Sequence, residues 1–203
     1  MTEILNRIIN KLYHILYIRA LFYLSGVYNL LNAKARGVII GKNLKTIGRI
    51  HFFRSPGSKI EIGDNCEFRS TEVSNLIGIN RRCIISANSS QANIKIGSNC
   101  AFSGVTIGAR HSIEIGQNCM VGANVIITDN DWHALAPNER RSGEPRSKPT
   151  VIGTNVFIGV DSIILKGTVI GENSVIGAGS VVSGIIPPNV IAAGNPCIVI
   201  KML

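Results

Sequence analysis

The sequence predicts an all-β protein: a parallel β-helix of stacked, three-sided coils, preceded by a helical arm. Three observations predict it. Ile152, Ile158, Ile164, Ile170, Ile176 and Val182 fall every six residues without a slip. The phrase I-G-x-N-small recurs as Ile40–Leu44, Ile62–Cys66, Ile96–Cys100, Ile115–Cys119, Ile152–Val156 and Ile170–Ser174. Aromatic residues make up only 5% of the chain while glycines number 21, a mixture that suits short strands joined by tight turns.

A period of six cannot stay on one face of an α-helix, because six residues is about 1.67 turns. A flat strand alternates with period two and has no use for the glycines at 153, 159, 171 and 177. A strand of one hexapeptide, a sharp turn, and two more such sides satisfy both. Three hexapeptides make a coil, and Ile152 to Ile170 is one such step. The aliphatic residue points inward, and Gly and Asn supply the unusual backbone angles of the corners.

Cys66, Cys83, Cys100 and Cys119 end successive copies of the phrase, with a degenerate copy at Ile79–Cys83 where Arg82 replaces Asn. Their slot is later filled by Val156 and Ser174, so the expectation is a ladder of small buried residues, one per coil. A metal site would instead need ligands converging on one point. Cys197 lies outside the ladder. Five cysteines, an odd number, and no secretion leader at the N-terminus point to reduced thiols and a cytoplasmic location. The net charge of +9 suggests an anionic partner. Basic residues are not interleaved with aromatics along one face, so nucleic acid is not the expected one.

The period breaks in three places, and function is expected there. The arm, residues 1–36, carries Ile4, Leu5, Ile8, Ile9, Leu12, Ile15 and Leu16 at helical spacing, together with Arg7, Lys11 and Arg19. It reads either as a cap on the open end of the β-helix (37–203) or as an amphipathic helix giving peripheral contact with the inner face of a membrane. The loop 129–149 holds the sole tryptophan, His133, three prolines and the basic residues Arg140, Arg141, Arg146 and Lys148. The tail, 184–203, has prolines and Gly194, expected to end the coil and turn the chain back.

On His133 with the NERRSG–KP loop, VIGTNVFIG, ILKGTVIGENSVIGAGSVV and PPNVIAAGNP, the chain resembles the hexapeptide-repeat acyltransferases. The branch is that of maltose and galactoside O-acetyltransferases and surface-polysaccharide acetyltransferases. The resemblance covers about residues 60–203. It implies a left-handed parallel β-helix, a homotrimer with sites between subunits, and acetyl-CoA as acyl donor with no metal. By the same resemblance His133 is the general base and the backbone N–H of Val160 the oxyanion donor. Asp131 would orient the imidazole, and Gly159, Lys166, Ala178 and Lys201 would meet the cofactor. Asn130, Trp132 and His111 are the candidates for contact with the acceptor. That acceptor is a small-molecule or lipid-linked sugar in polysaccharide or lipopolysaccharide biosynthesis. The chemistry is coherent: a sugar hydroxyl needs a base to become a nucleophile, and imidazole titrates near neutral pH.

Three alternatives stand beside this reading: N-acetylation of a nucleotide-linked amino sugar, a metal hydratase of the γ-carbonic-anhydrase kind, and a non-catalytic scaffold. The hydratase needs three converging histidines, whereas His111 and His133 have no third at a suitable spacing.

Overall fold

The computed structural model describes residues 2–203. Its body is a three-sided column of parallel sheets. The first face has seven strands: Ile39–Ile40, Lys59–Ile62, Asn93–Ile96, Ser112–Ile115, Thr150–Ile152, Val169–Ile170 and Ile185–Ile186. The second has eight: Lys45–Ile47, Glu67–Arg69, Ala101–Ser103, Met120–Ala123, Phe157–Ile158, Val175–Ile176, Val190–Gly194 and Cys197–Met202. The third has six: His51–Arg54, Ile84–Ala87, Thr106–Ala109, Ile126–Thr128, Ile163–Ile164 and Val181–Val182. Ile152 pairs with Ile170, Ile158 with Ile176 and Ile164 with Val182. Each hexapeptide is therefore one side, and three make a coil.

The periodic aliphatic residues fill the interior; Ile152 through Val182 are all buried. Phe52, Phe68 and Phe102 fill the N-terminal coils, the last two stacked at 4.7 Å between ring centroids. Each buried large aliphatic side chain contributes about 1.5–3 kcal/mol of transfer free energy.

The recurring phrase is the corner between the first and second faces. Asn43, Asn65, Asn99, Asn118, Asn155, Asn173 and Asn189 all take the left-handed conformation, with φ between 57° and 60°. Asn tolerates this backbone better than other residues with a Cβ. The side-chain amides also bond coil to coil: Asn43 to Asn65 at 3.0 Å, Asn65 to Asn99 and Asn99 to Asn118 at 3.1 Å, Asn155 to Asn173 at 3.0 Å. The glycine two residues earlier has a different task. None of Gly63, Gly97, Gly116 or Gly153 has positive φ. A Cβ there would stand 2.6–2.7 Å from a backbone nitrogen of the next coil. Asn thus supplies the angle and Gly the close approach, a division of labour that the expectation for these corners did not contain.

The cysteine ladder needs one correction. Cys66, Cys100 and Cys119 share the expected slot, and their thiols donate to the carbonyls of Gly97, Gly116 and Gly153 at 3.3, 3.2 and 3.1 Å. Cys83 belongs to the next corner, where its backbone lines up with Val105, Val125, Ser162 and Ser180 at the start of the third face. The reason is an excursion over residues 70–82, between the second and third faces, which displaces the apparent repeat at Ile79–Cys83. Burial pushes the Cys83 thiol up to about 11.

Both ends of the column are covered. At the C-terminus the coil continues past the prolines: Ile185–Ile186 pairs with Val169–Ile170, and Val190–Gly194 with Val175–Ile176. Only then does Cys197–Met202 fold back antiparallel. The prolines therefore do not end the coil, which runs on to Gly194 before the chain turns back. At the N-terminus, Thr2–Ala35 is one helix of 34 residues, about 51 Å long at 1.5 Å per residue. Ser25, Asn29 and Asn32, at i, i+4 and i+7, place three polar groups on one stripe. Ser25 Oγ donates to Thr46 O at 2.9 Å, Asn29 Nδ2 to Gly48 O at 3.0 Å, and Ile50 N–H to Asn29 Oδ1 at 2.9 Å. The stripe satisfies backbone groups along the open edge of the first coil.

Three outcomes test this description. Asn99→Ala, which forces Ala into the left-handed region and removes two ladder bonds, should lower unfolding free energy by about 2–3 kcal/mol in urea. Asn99→Gly should cost about 1 kcal/mol, since it keeps the backbone and loses only the bonds. A thiol reagent should titrate Cys197 alone in the native protein and all five cysteines after unfolding, because only Cys197 is not buried. Raising the Cys83 pKa also has a linkage consequence: the unfolded chain loses this proton first, so stability falls as pH rises from about 9 toward 11.

Candidate functional site

A groove of about 600 Å³ runs along the outside of the second face. It crosses five strands, from Glu67–Arg69 to Val175–Ile176, roughly 19 Å at 4.8 Å per strand. One end is walled by Phe157, Gly159, Val160, Val175, Gly177 and Ala178. The other is polar, with Glu67, Arg69, Asn75 and Ser103.

The regular corner between the second and third faces makes the first end. Among the described residues, no protein acceptor receives the N–H of Val160 or of Ala178. Each nitrogen stands over a bare glycine of the preceding coil. A Cβ on Gly122 would lie 2.7 Å from Val160 N, and one on Gly159 2.5 Å from Ala178 N. The glycines thus leave room beside two open donors in a mostly apolar wall. Lys201 lies on the same outer face: Val175 pairs with Ile191, and Ile191 with Lys201. Gly159, Val160 and Ala178 are therefore brought together at one end of the groove, whereas Lys201 lies two strands beyond Val175 and does not line it.

The polar end is built by the excursion at residues 70–82. Arg69 donates to Glu67 Oε1 at 2.8 Å and to Ser74 O at 3.1 Å. Asn75 Nδ2 donates to Ser103 Oγ at 3.1 Å. Farther along, Asn124 accepts the N–H of Asn80 and donates to Gly78 O. Sequence reasoning missed this segment because the false corner at Ile79–Cys83 disguised it.

The second loop, 129–149, leaves from the corner between the third and first faces. Asp129 is buried, and its carboxylate accepts the N–H groups of Arg110 and His111 at 2.8 and 2.6 Å. It fixes the loop's root on the coil below and was not singled out from sequence. An acid closing an apolar strand before a turn is the feature that marks it. Trp132 takes a left-handed φ of 64°, a conformation costing about 1–2 kcal/mol for a side-chain-bearing residue. Its N–H is held by Asn130 Oδ1 at 2.8 Å. Its ring lies over Gly108, where a Cβ would approach Trp132 Cζ2 to 2.6 Å. His133 follows, exposed, beside a shallow depression with Pro137, Asn138, Arg140 and Arg141.

Several expected roles change. Asn130 is only 2% exposed; its side chain bonds Thr128, Asp129 and Trp132 within the turn, so it is a turn residue and not a surface for substrate. Asp131 forms an ion pair with Lys166, not with His133. Lys166 is thereby occupied, on a corner away from Gly159 and Ala178. Together they tie the loop to the coil above. Arg110 and Glu144 form a further ion pair across the loop. His111 sits in an exposed turn with Nδ1 3.1 Å from Ser112 Oγ, and neither it nor Trp132 lines the groove. Within one chain, His133 does not line the groove of Val160 either.

Comparison with known proteins agrees with this architecture. A family model described as the hexapeptide repeat of succinyl-transferase matches residues 92–129 and 149–183. The galactoside O-acetyltransferase of Escherichia coli is 45% identical over 111 residues, 54% of this chain and 54% of its own length. The galactoside O-acetyltransferase of Lactococcus lactis is 36% identical over 140 residues, 68% of this chain and 61% of its own length. The chain thus spans less than two thirds of the length of either of these two relatives. A galactoside acetyltransferase solved in complex with coenzyme A superimposes with a TM-score of 0.53 at 30% identity, covering 81% of this chain and 64% of that one. The column is a left-handed parallel β-helix like theirs, and over residues 92–129 and 149–183 the chain carries the hexapeptide repeat and is similar to the acetyltransferases that share it.

Proposed function

We propose that the protein is an O-acetyltransferase that moves an acetyl group from acetyl-CoA to a hydroxyl of a sugar, in the building of a polysaccharide or lipopolysaccharide. The observation that carries this is the groove on the second face, with two unpaired N–H donors exposed beside bare glycines. A long, narrow, mainly apolar groove suits the pantetheine arm and thioester of the donor. Relatives with the same repeat are named galactoside O-acetyltransferases, and one was solved with coenzyme A.

The chemistry assigned to these residues balances. His133 takes the proton of the acceptor hydroxyl as its oxygen attacks the thioester carbonyl. The carbonyl oxygen gains negative charge and is met by the N–H of Val160, the oxyanion donor. The C–S bond then breaks, and the departing thiolate receives the proton from the imidazolium. The polar end of the groove is where a hydroxylated acceptor finds hydrogen-bond partners. Because His133 and Val160 line different depressions of one chain, the reading requires a homotrimer. The loop of one subunit then serves the groove of the next, with Arg140 and Arg141 beside the imidazole supplying positive charge.

Release of the CoA thiol, followed with galactosides, maltose and a nucleotide-linked amino sugar as acceptors, tests the reading. A hydroxyl acceptor should be consumed, and His133→Ala should lower kcat about 10²–10⁴-fold with acetyl-CoA affinity unchanged. Transfer only to the amino sugar would overturn O-acetylation, and full activity of His133→Ala would remove the base. Gly159→Ala should weaken acetyl-CoA binding, since the new Cβ meets Ala178 N. It should also destabilise the fold by about 1–3 kcal/mol, read by titration calorimetry and urea unfolding.

A further inference from the structure

The positive charge of the chain is not spread along it. Residues 1–60 contain ten Lys and Arg side chains and one carboxylate, Glu3, and so hold the whole net charge of +9; residues 61–203 contain eleven of each sign. In space this means that the arm and the first coil are cationic while the rest of the column is balanced. Of the ten cations only Arg54 is not exposed.

The helix is also mounted with its apolar side outward. Its contact with the column centres on the polar stripe Ser25, Asn29 and Asn32, with Ala33 buried beside it and Leu21 and Phe22 half-buried on the same side. Val27 lies two residues from both Ser25 and Asn29, about half a turn away at 3.6 residues per turn. With Leu5, Ile9, Leu12, Leu16, Tyr23 and Leu30 it forms the opposite face, and every one of these is exposed; Leu12 is 54% and Leu16 65% exposed. All described side chains from Glu3 to Tyr17 are exposed, so this half of the helix extends beyond the column. Among the described residues, no helix is long and apolar enough to cross a membrane.

We propose that the arm and the first coil form a docking face for an anionic lipid surface, with the helix lying in the plane of the interface and the column above it. A second copy of the helix fits the pattern less well. A strict heptad seam started at Leu5 runs through 9, 12 and 16 but then places Arg19 and Gly26 in the seam. The apolar residues instead cover a broad face, since Ile15, Leu24 and Leu31 are exposed to either side of the stripe, as in helices that rest on bilayers. Tyr13, Tyr17, Tyr23 and Tyr28, all exposed, suit the headgroup level. Lys and Arg at both ends of the helix and on the first coil complement the charge of the lipid. This inference does not depend on the reaction catalysed.

Flotation of the full chain with vesicles tests it, using equimolar phosphatidylglycerol and phosphatidylcholine against pure phosphatidylcholine. The chain should float with the anionic vesicles, at least tenfold less with the neutral ones, and less as salt is raised. Leu12→Glu/Leu16→Glu should abolish flotation without shifting the unfolding midpoint, because both side chains touch nothing in the column. Absence of flotation with anionic vesicles overturns the proposal, as does undiminished flotation of the double variant. Light scattering separates the other occupant: no flotation, with a wild-type assembly that the double variant splits into smaller ones, assigns the face to a second copy and overturns lipid docking.

Discussion

The structure depends on how closely one coil can lie on the next. At strand spacing of about 4.8 Å, corner backbones come within reach of any Cβ below them. The column solves this twice in each I-G-x-N turn. The glycine leaves the space, with a hypothetical Cβ at Gly97 or Gly116 only 2.6–2.7 Å from the next coil. The Asn takes the left-handed turn and bonds its neighbours above and below. Cys66, Cys100 and Cys119 complete the corner with a small thiol that bonds a carbonyl. These contacts are local and repeated, so the column is rigid where the repeat is clean.

That rigidity is what makes a groove with fixed donors. Where the corner between the second and third faces follows the rule, as at Gly159–Val160 and Gly177–Ala178, open N–H groups are held at constant spacing without mobile side chains. Preorganised backbone donors of this kind need no reorganisation when charge develops before them. Where the rule is broken, the chain has room for chemistry. The excursion at 70–82 adds a polar wall, pinned by Arg69 and Asn75. The loop at 129–149 carries His133 outward, its root held by buried Asp129 and by the Asp131–Lys166 pair.

Much of this was legible in the sequence where side chains obey a period. The run from Ile152 to Val182 contains its own register, because each residue repeats the environment of the one 18 positions earlier. Gly159, Val160 and Ala178 lie in that run, but the family resemblance, not the period, singled them out. Legibility failed where a coil carries an insertion. Ile79–Cys83 mimics a corner in its letters, yet the preceding excursion moves Cys83 to a different edge. Roles assigned by residue type also failed where long-range pairing decides. Lys166 was expected at a phosphate and meets Asp131, 35 residues away in the chain. Asn130 was expected at the acceptor and is consumed by its own turn. The arm was readable as an amphipathic helix, but not the choice of face, because Ser25, Asn29 and Asn32 bind backbone groups that no side-chain pattern displays.

The central claim is that the acyl donor lies in the second-face groove against the N–H groups of Val160 and Ala178. Amide hydrogen exchange with and without saturating acetyl-CoA measures this directly. The account predicts slowed exchange at Val160 and Ala178, with the corner amides Gln117 and Thr154 on the other edge unchanged. Protection confined to those other corners, or no protection anywhere, would contradict it.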